Sequence, residues 1–328
     1  MNIFLTFDYE LFFGSVPGSA EKCILNPTKK LLEIASEHQT PMVFFIDVGY
    51  ILALEKYKKE FPVLEADYQK IVQQIQDIIV AKSDVQLHIH PHWEKSYYDG
   101  NKWIMVTKDC YKLSDFSLSE VEEIVRRYKA KLDQISGRKS TAFRAGGWCV
   151  EPFSILEKVF MELGIKYDTS VFPKGHFESG EYDFDFRNAP TKNPYSFQKT
   201  TLEEDEKGYF QEYSIGSYHY SPLFYWKLFI LGRMNPKDHK FVGDGFAMSQ
   251  PGRKKEVLTK FTWNHASTDG FYASKMKTIA NLALRKKDEN LVFIGHPKGC
   301  TLFSYKALDK FLREFKNKCH FQTFDQLS

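Results

Sequence analysis

The sequence of 328 residues lacks several features that would each assign it to a broad class of protein. No stretch approaches the roughly 20 apolar residues that a membrane-spanning helix needs. The five cysteines include no CxxC pair, and an odd number without a regular spacing is typical of reduced thiols. No basic segment, apolar run and small-residue cleavage site precede the first predicted strand. We therefore expect a soluble protein of the cytoplasm.

A large excess of charge of one sign is also missing. The formal net charge is +3, with 45 Lys and Arg scattered among 42 Asp and Glu. This pattern offers no basic face of the kind that binds nucleic acid. Aromatic residues are plentiful, with 29 Phe and 18 Tyr. Core packing explains most of them, although aromatics in such numbers also line sugar-binding sites.

Strand-like and helix-like segments alternate along most of the chain. The predicted strands are NIFLTF, PMVFFIDV, VQLHIH, STAFRAG, IKYDTS, LVFIGH and CHFQTF. Predicted helices begin at Asn26-Pro27, cover 64–81, run from the capping box SLSE to about residue 135, cover 152–163 and follow the late strand. This alternation favours an α/β fold with a parallel sheet, open or closed into a barrel. Because residues 173 to about 270 break the rhythm, we interpret 1–328 as one barrel-like domain with a long insertion at about 173–270.

Polar side chains gather where the apolar strands stop, which is where α/β folds place functional groups. Three of the ten histidines fall within the five residues HIHPH. Imidazole is the commonest nitrogen ligand for zinc-like metals, and one carboxylate with two histidines forms an open catalytic site. The strand-end residues are Asp8, Glu10, His88, His90, His92, Arg144, Asp168 and His296.

Each of these motifs taken alone has a simpler explanation. FDYE could be a loop cap, DTS and GHPKG could be plain turns, and RAGGW could be a tight turn with a surface arginine. The functional interpretation therefore depends on the combination of the motifs.

The ordered set FDYE, HIHPH, FRAGGW, DTS and IGHP resembles the five motifs of the polysaccharide deacetylases, carbohydrate esterase family 4. The usual forms of those motifs are TFDDG, H-S/T-x-x-H, R-x-P-Y, D-x-x-W and L-x-H. The resemblance spans residues 4 to 297. It implies a distorted (β/α)7-type barrel and metal-dependent removal of N- or O-acetyl groups from sugars.

The resemblance also implies a role for each matching residue. Asp8 would be the catalytic base, and Arg144 would orient it. Asp168 would pair with His296, the general acid. Glu10, His88 and His92 would bind a divalent metal, with zinc the first expectation and nickel, cobalt or iron also suited to these ligands. Backbone N–H groups around Gly146 and Gly147 would help to hold the oxyanion.

The sequence departs from the family pattern at three points. Asp-Tyr-Glu replaces adjacent aspartates, so Glu10 is either a metal ligand or a group that supports one. His90 is an extra histidine, a ligand if the chain stays extended through Pro91 and otherwise a group lining the site. Gly146 and Gly147 replace a proline and an aromatic residue, which changes the expected shape of the acyl pocket.

Within the insertion, residues 217–233 form an aromatic and apolar run that contains Lys227 and Arg233. A helix packing across the barrel would explain this run. The alternative is an interfacial segment in peripheral contact with a membrane, where it would meet a lipid-linked glycan. We interpret four further residues of this region as surface groups or as groups behind the site: His219, Asp244, His265 and Asp269.

The hypothesis that follows is a metal-dependent deacetylase acting on an acetylated amino sugar or a polysaccharide precursor. The expected substrate is a carbohydrate, with a nucleotide- or lipid-linked intermediate as the favoured kind. Two alternatives stay open. One is a glycoside hydrolase of a related barrel that uses Asp8 and a second carboxylate. The other is a carbohydrate-binding protein without turnover.

Overall fold

The computed structural model describes residues 1–178, 182–248, 250 and 252–327. Parallel strands and helices alternate in it, as the sequence predicts. The strands are β1 (Asn2–Tyr9), β2 (Val43–Asp47), β3 (Asp84–Ile89), β4 (Tyr97–Tyr98), β5 (Trp103–Ile104), β6 (Ala142–Ala145), β7 (Tyr167–Asp168), β8 (His176–Glu178), β9 (Asp183–Asp185), β10 (Tyr195–Phe197), β11 (Phe210–Glu212), β12 (Ser217–Tyr220), β13 (Thr262–His265), β14 (Asn290–Gly295) and β15 (His320–Phe321). The helices are α1 (Asn26–His38), α2 (Val48–Tyr57), α3 (Pro62–Val80), α4 (Leu118–Ser136), α5 (Ser154–Leu163), α6 (Pro222–Met234), α7 (Pro236–His239), α8 (Arg253–Thr259), α9 (Met276–Lys286) and α10 (Leu302–Phe315).

The central layer is a nine-stranded sheet in which β1 lies between β2 and β14. The order is β10-β11-β7-β6-β3-β2-β1-β14, and β15 also pairs with β1. Neighbours from β11 to β14 are parallel, whereas β10 and β11 are antiparallel. β1 is buried except at its first residue, and β14 is buried throughout. Such continuous apolar strands are typical of a parallel sheet covered on both faces.

The sheet curls part of the way into a barrel. Ile215, which follows β11, forms a parallel bridge with Val292 of β14, and Ser267 forms another with Ile294. These two single bridges therefore continue the curl of the sheet beyond its regularly paired strands. The C-terminal ends of β1, β3, β6 and β14 lie along one edge, and this edge carries the site described below.

Local signals predicted several helix ends correctly. Ser117 and Glu120 form the capping box at the start of α4, and Gly137 ends that helix at φ 69°. Gly164 ends α5 in the same left-handed region. The fifth predicted strand is shorter than IKYDTS, because only Tyr167–Asp168 pair in the sheet.

Two strands within the range of the predicted insertion, β10 and β11, belong to the central layer. The expected count of seven strands and the insertion boundaries stay predictions, and residues 179–181, 249 and 251 of that range lie outside the described part of the chain. Residues 217–233 divide between β12 and α6. A small separate core joins this part to α8 through Tyr220, Phe224, Tyr225 and Val257.

None of the described helices is both long enough and apolar enough to cross a membrane.

Candidate active site

The end of β1 places two buried carboxylates at the C-terminal edge of the sheet. Asp8 is the seventh residue of β1, and Glu10 follows the strand directly. Because side chains alternate along a strand, the two carboxylates share one face. They are 4% and 5% exposed, and buried carboxylates are costly unless positive groups pair with them.

Arg144, at the end of β6, supplies the positive partner of Asp8. Its Nη1 donates a hydrogen bond of 2.6 Å to Asp8 Oδ1, and its Nη2 donates to the hydroxyls of Thr6 and Thr169. The guanidinium is fully buried and lies 4.3 Å from the ring centroid of Phe45. These contacts fix the position of the guanidinium, which therefore holds the carboxylate of Asp8 in one orientation. This contact agrees with the orienting role that the resemblance implies.

Glu10, His88 and His90 form a cluster whose ligand atoms all lie within 4.8 Å of one another. Glu10 Oε2 is 3.0 Å from His88 Nε2 and 2.7 Å from His90 Nε2. His88 Nδ1 lies 2.8 Å from the carbonyl oxygen of Arg144, which directs Nε2 towards Glu10. One carboxylate and two imidazoles, all buried and converging, fit a divalent metal with open coordination positions.

The third member of this cluster is His90 rather than His92, the predicted ligand. His90 is still extended, at φ −110° and ψ 97°, but a 3₁₀ turn begins at Pro91. The turn takes His92 off the shared face. The Nδ1 of His92 contacts Ser96 Oγ at 3.3 Å, and its ring packs on Phe13. The chain turns at Pro91 and His90 lines the site, as expected for that case, and His90 also joins the cluster with Glu10 and His88.

The absence of a side chain at Gly146 leaves room for the ring of His90. A Cβ at this position would lie 2.5 Å from His90 Nδ1 and 2.7 Å from the carbonyl oxygen of Ile89. No side chain fits there, because contacts under 3.0 Å require something to move. The glycine that departs from the family motif thus accommodates the extra histidine.

Lys298 is a charged group at the site that sequence reasoning did not select. Its Nζ donates to Glu10 Oε1 at 2.8 Å and to the carbonyl oxygen of Leu11. The ammonium also lies 4.8 Å from the ring centroids of Phe12 and Phe13. Lys298 contacts Oε1 of Glu10, whereas Oε2 contacts the two histidines.

Burial and these charges shift the pKa values of the cluster in different directions. Burial opposes ionisation of Glu10, but Lys298 and His90 outweigh it and hold the pKa of Glu10 well below its usual range. Burial also opposes the charged form of His88, but Asp8 and Glu10 raise its pKa to about 9. Burial lowers the pKa of His90 to about 4, so His90 is neutral at pH 7. A neutral imidazole is the form that binds a metal.

His296, at the end of β14, lies opposite Asp8. Its Nε2 is 3.7 Å from Asp8 Oδ2 and 3.8 Å from Glu10 Oε1. Its Nδ1 lies 2.7 Å from Asp269 Oδ2, and Asp269 Oδ1 accepts the backbone N–H of His296 at 2.7 Å. Burial disfavours the charged imidazole, but Asp269 and the carboxylates of the site outweigh it and raise the pKa of His296.

The expected pairing of Asp168 with His296 is therefore corrected, because Asp269 is the carboxylate that contacts Nδ1 of His296. Asp168 accepts the backbone N–H and the hydroxyl of Ser170, and that hydroxyl accepts the N–H of Ala145. Asp168 is also the register partner of Glu212 on β11. Burial raises the pKa of both carboxyls, and the charge of Asp168 raises the pKa of Glu212 further. Asp168 thus supports the strand that carries Arg144 and does not contact His296.

A cavity of about 240 Å³ opens over these groups. Asp8, Glu10, His88, His90 and His296 all line it, together with Asp269 and Lys298. Gly147 lines it as well, whereas Gly146 packs on His90. Aromatic side chains form much of the wall: Phe12, Phe13, Tyr111, Trp148, Tyr182 and Phe241.

Two acidic groups near the site were not predicted from the sequence to take part in it. Asp47 ends β2 beside His88, accepts the indole N–H of Trp93 at 2.6 Å, and has its pKa raised to about 7 by burial. The strand-end rule, applied to PMVFFIDV, would have selected it. The sequence predicts Asp269 to be a surface group or a group behind the site. Asp269 follows the short strand β13 in the stretch STDG.

Comparison with known sequences finds no matching protein-family model and no matching curated protein. Solved structures do match, 28 chains in all. A protein assigned as a polysaccharide deacetylase from Mycobacterium smegmatis aligns over 99% of this chain and 88% of its own, with 17% identity and a TM-score of 0.54. A GH57 branching enzyme from Thermococcus kodakaraensis aligns over 99% and 70%, with 10% identity and a TM-score of 0.50. The peptidoglycan deacetylase PdaC from Bacillus subtilis has 10% identity, coverage of 99% and 88%, and a TM-score of 0.36.

These likenesses first define a class: an α/β fold with a curled parallel sheet, shared with carbohydrate-active proteins. Within that class, the chain has the fold of the polysaccharide deacetylases, and the resemblance predicted from the five motifs is confirmed at this level. At 10–17% identity the comparison shows the fold and leaves the chemistry to the residues of this chain.

Proposed function

We propose that the protein is a metal-dependent hydrolase that removes acetyl groups from an acetylated sugar. The observation that carries this proposal is the single cavity shared by three kinds of group. These are the Glu10–His88–His90 cluster, the arginine-held carboxylate of Asp8 and the imidazole of His296. Hydrolysis of an amide or ester needs a proton acceptor for water and a proton donor for the leaving group. Asp8 and His296 stand 3.7 Å apart in the positions to be that pair.

Glu10, His88 and His90 would hold the metal, and zinc suits this ligand set well. When bound there, a divalent metal supplies polarisation of the acetyl carbonyl and a lower pKa for a water. The donor set also suits nickel, cobalt or iron. This assignment replaces His92 with His90 in the ligand set, for the geometric reason given above.

Asp8 would accept the proton of the attacking water. The 2.6 Å contact with Arg144 fixes its Oδ1 and leaves Oδ2 directed at the cavity. His296 would donate a proton to the departing amine or alkoxide. The pKa of His296 is raised, with Asp269 as the largest favourable contributor, which favours the protonated imidazole that this role requires.

The aromatic wall supports a carbohydrate substrate. Phe and Tyr side chains, with Trp148, present flat apolar faces to the cavity beside its charged floor. Such faces pack against the apolar faces of sugar rings. All five cysteines are free, which is usual for a reducing compartment, so we propose a nucleotide- or lipid-linked sugar of the cytoplasm as the substrate.

A glycoside hydrolase is the second candidate, because the fold also matches that of the GH57 branching enzyme. Such an enzyme needs two carboxyl groups free to act on one glycosidic bond. Here Glu10 is engaged by Lys298 and two histidines, and Asp269 is engaged by His296. The contacts of these carboxylates therefore favour deacetylation over glycoside hydrolysis.

Acetate release from a panel of N- and O-acetylated amino sugars tests the proposal. We expect release by the metal-loaded protein, loss after chelation, and a fall of roughly 10²- to 10⁴-fold in Asp8→Asn. Asp288→Asn, at an exposed position away from the cavity, is the matched control. Release that Asp8→Asn leaves intact contradicts the mechanism. Chelator-insensitive cleavage of a glycosidic bond supports the second candidate, and sugar binding without turnover supports a binding protein.

A further inference from the structure

Helix α6 is apolar on both of its sides, although only one side is covered. Its inner side buries Phe224 and Tyr225 in the small core shared with α8. Its outer side exposes Leu223 by 63%, Trp226 by 49%, Ile230 by 46% and Met234 by 80%. A helix that is apolar all round is normally buried, so the outer side of α6 needs an occupant.

The exposed apolar residues form one stripe along the helix. Positions 223, 226, 230 and 234 follow the spacing of a single face. Lys227 and Arg233, both exposed, flank this stripe on opposite sides. Trp226 donates its indole N–H to the carbonyl of Leu258 at 3.2 Å, which joins the stripe to the segment leading into β13. We call this surface, the outer side of residues 223–234, the α6 surface.

The α6 surface carries Lys227 and Arg233 and no acidic residue, and the chain segment around it is rich in basic residues. Residues 222–263 contain eight Lys and Arg against three Asp and Glu, whereas the whole chain has a net charge of only +3. The three acids already have partners. Asp238 pairs with Lys306, Glu256 with Arg253, and Asp244 with Ser19.

We propose that the α6 surface binds an anionic membrane surface, with α6 lying in the plane of the interface. The apolar stripe would enter the headgroup region, while the basic residues would contact the lipid phosphates. A second copy of the chain fits less well, because two such basic surfaces would repel each other. The proposal does not depend on the deacetylase activity.

Vesicle flotation with the full chain tests this surface. We expect binding to vesicles of phosphatidylcholine mixed with phosphatidylglycerol, weak binding to phosphatidylcholine alone, and loss of binding at high salt. Ile230→Ser/Met234→Ser and Lys227→Gln/Arg233→Gln should each lower the partition coefficient at least tenfold. Val80→Ser/Leu118→Ser and Lys139→Gln/Lys158→Gln change equally exposed residues on other faces and should leave it unchanged. Circular dichroism of each variant checks that the fold is kept.

Three outcomes would overturn the proposal. One is the absence of flotation at low salt, and another is equal binding to charged and neutral vesicles. The third is a dimer in solution that Ile230→Ser/Met234→Ser dissociates, together with no binding of the protein to vesicles. That result would assign the α6 surface to a second copy.

Discussion

His296 and Asp8 show, at the scale of residues, how the site divides its charges. Each has its own partner of opposite character, the half-buried Asp269 for the imidazole and the buried Arg144 for the carboxylate. The two groups face each other at 3.7 Å, and each contacts a partner on its other side. Two titratable groups with opposed environments are the usual basis for an acid and a base in one site.

Asp269→Asn should move the alkaline limb of the kcat/KM profile to lower pH. Asp269 raises the pKa of His296, so without the carboxylate the imidazole loses its proton at a lower pH. We expect the rate at the optimum to fall by about 10- to 10²-fold, at or below the range of a direct proton donor. The measurement is acetate release across the pH range. Asp168→Asn is the matched control, and a shift in that variant alone would restore the pairing predicted from sequence.

The zinc affinities of His90→Ala and His92→Ala should show which of the two histidines is a metal ligand. His90 lies in the cluster with Glu10 and His88, whereas His92 contacts Ser96. We expect His90→Ala to lower zinc affinity by more than the roughly 10- to 100-fold typical of losing an outer partner of a metal ligand. His92→Ala should keep full zinc content. Metal stoichiometry by mass spectrometry of the purified proteins decides, and the reverse result would restore His92 as the ligand.

The residues of the site could be predicted from sequence where a long apolar strand ends. Asp8, His88, Arg144 and His296 were found in this way, since strand ends of a parallel sheet meet at one edge. Asp269 could not be found, because it follows a two-strand pairing outside the main sheet and meets His296 only through the fold. The choice between His90 and His92 depends on where the chain leaves the extended conformation. Pro91 alone does not determine that point.

At the scale of secondary-structure elements, the parallel pairing of β7 and β11 brings two carboxyls together. Asp168 and Glu212 are register partners, and both are fully buried. A shared proton is the arrangement that avoids two adjacent buried charges. The fold prediction missed this pairing, because YFQE offers only a short strand within the predicted insertion.

Glu212→Gln should make the stability of the protein less sensitive to pH. The pKa of Glu212 is raised well above its ordinary value of 4.5, so the folded state keeps a proton that the unfolded chain releases. The resulting stability is present below pH 4.5 and is lost as the pH rises towards the folded pKa. Urea unfolding between about pH 5 and 8 should show a flatter dependence in Glu212→Gln. The exposed Glu289→Gln should keep the wild-type slope, and identical slopes in all three proteins would contradict the shared proton.

At the scale of the whole molecule, the cluster of Glu10, His88 and His90 joins parts of the chain that are distant in sequence. Glu10 follows β1, and the two histidines come from β3 and the residue after it. Binding to the folded state alone should therefore stabilise the entire fold. The α/β class and the alternation of strands and helices could be predicted, but the degree of curling could not, because it depends on single bridges such as Ser267 with Ile294.

Zinc should raise the free energy of unfolding by about 2.7 kcal/mol when its free concentration is 100 times the Kd. Urea unfolding with zinc and with a chelator measures this difference. His90→Ala should show a much smaller gain, while His92→Ala should match the wild type. An equal gain in His90→Ala would locate the stabilising metal elsewhere.

β1 is covered by three partner strands, β2, β14 and β15, and carries Asp8 at its buried end. A site on a surface loop can be lost by local opening while the rest of a protein stays folded. Here the residue proposed as the base lies on a central strand, so its position is lost only when the centre of the sheet separates. Heat or urea should therefore abolish turnover and tertiary structure in a single transition, and the backbone amides of β1 should be among the last to exchange for deuterium.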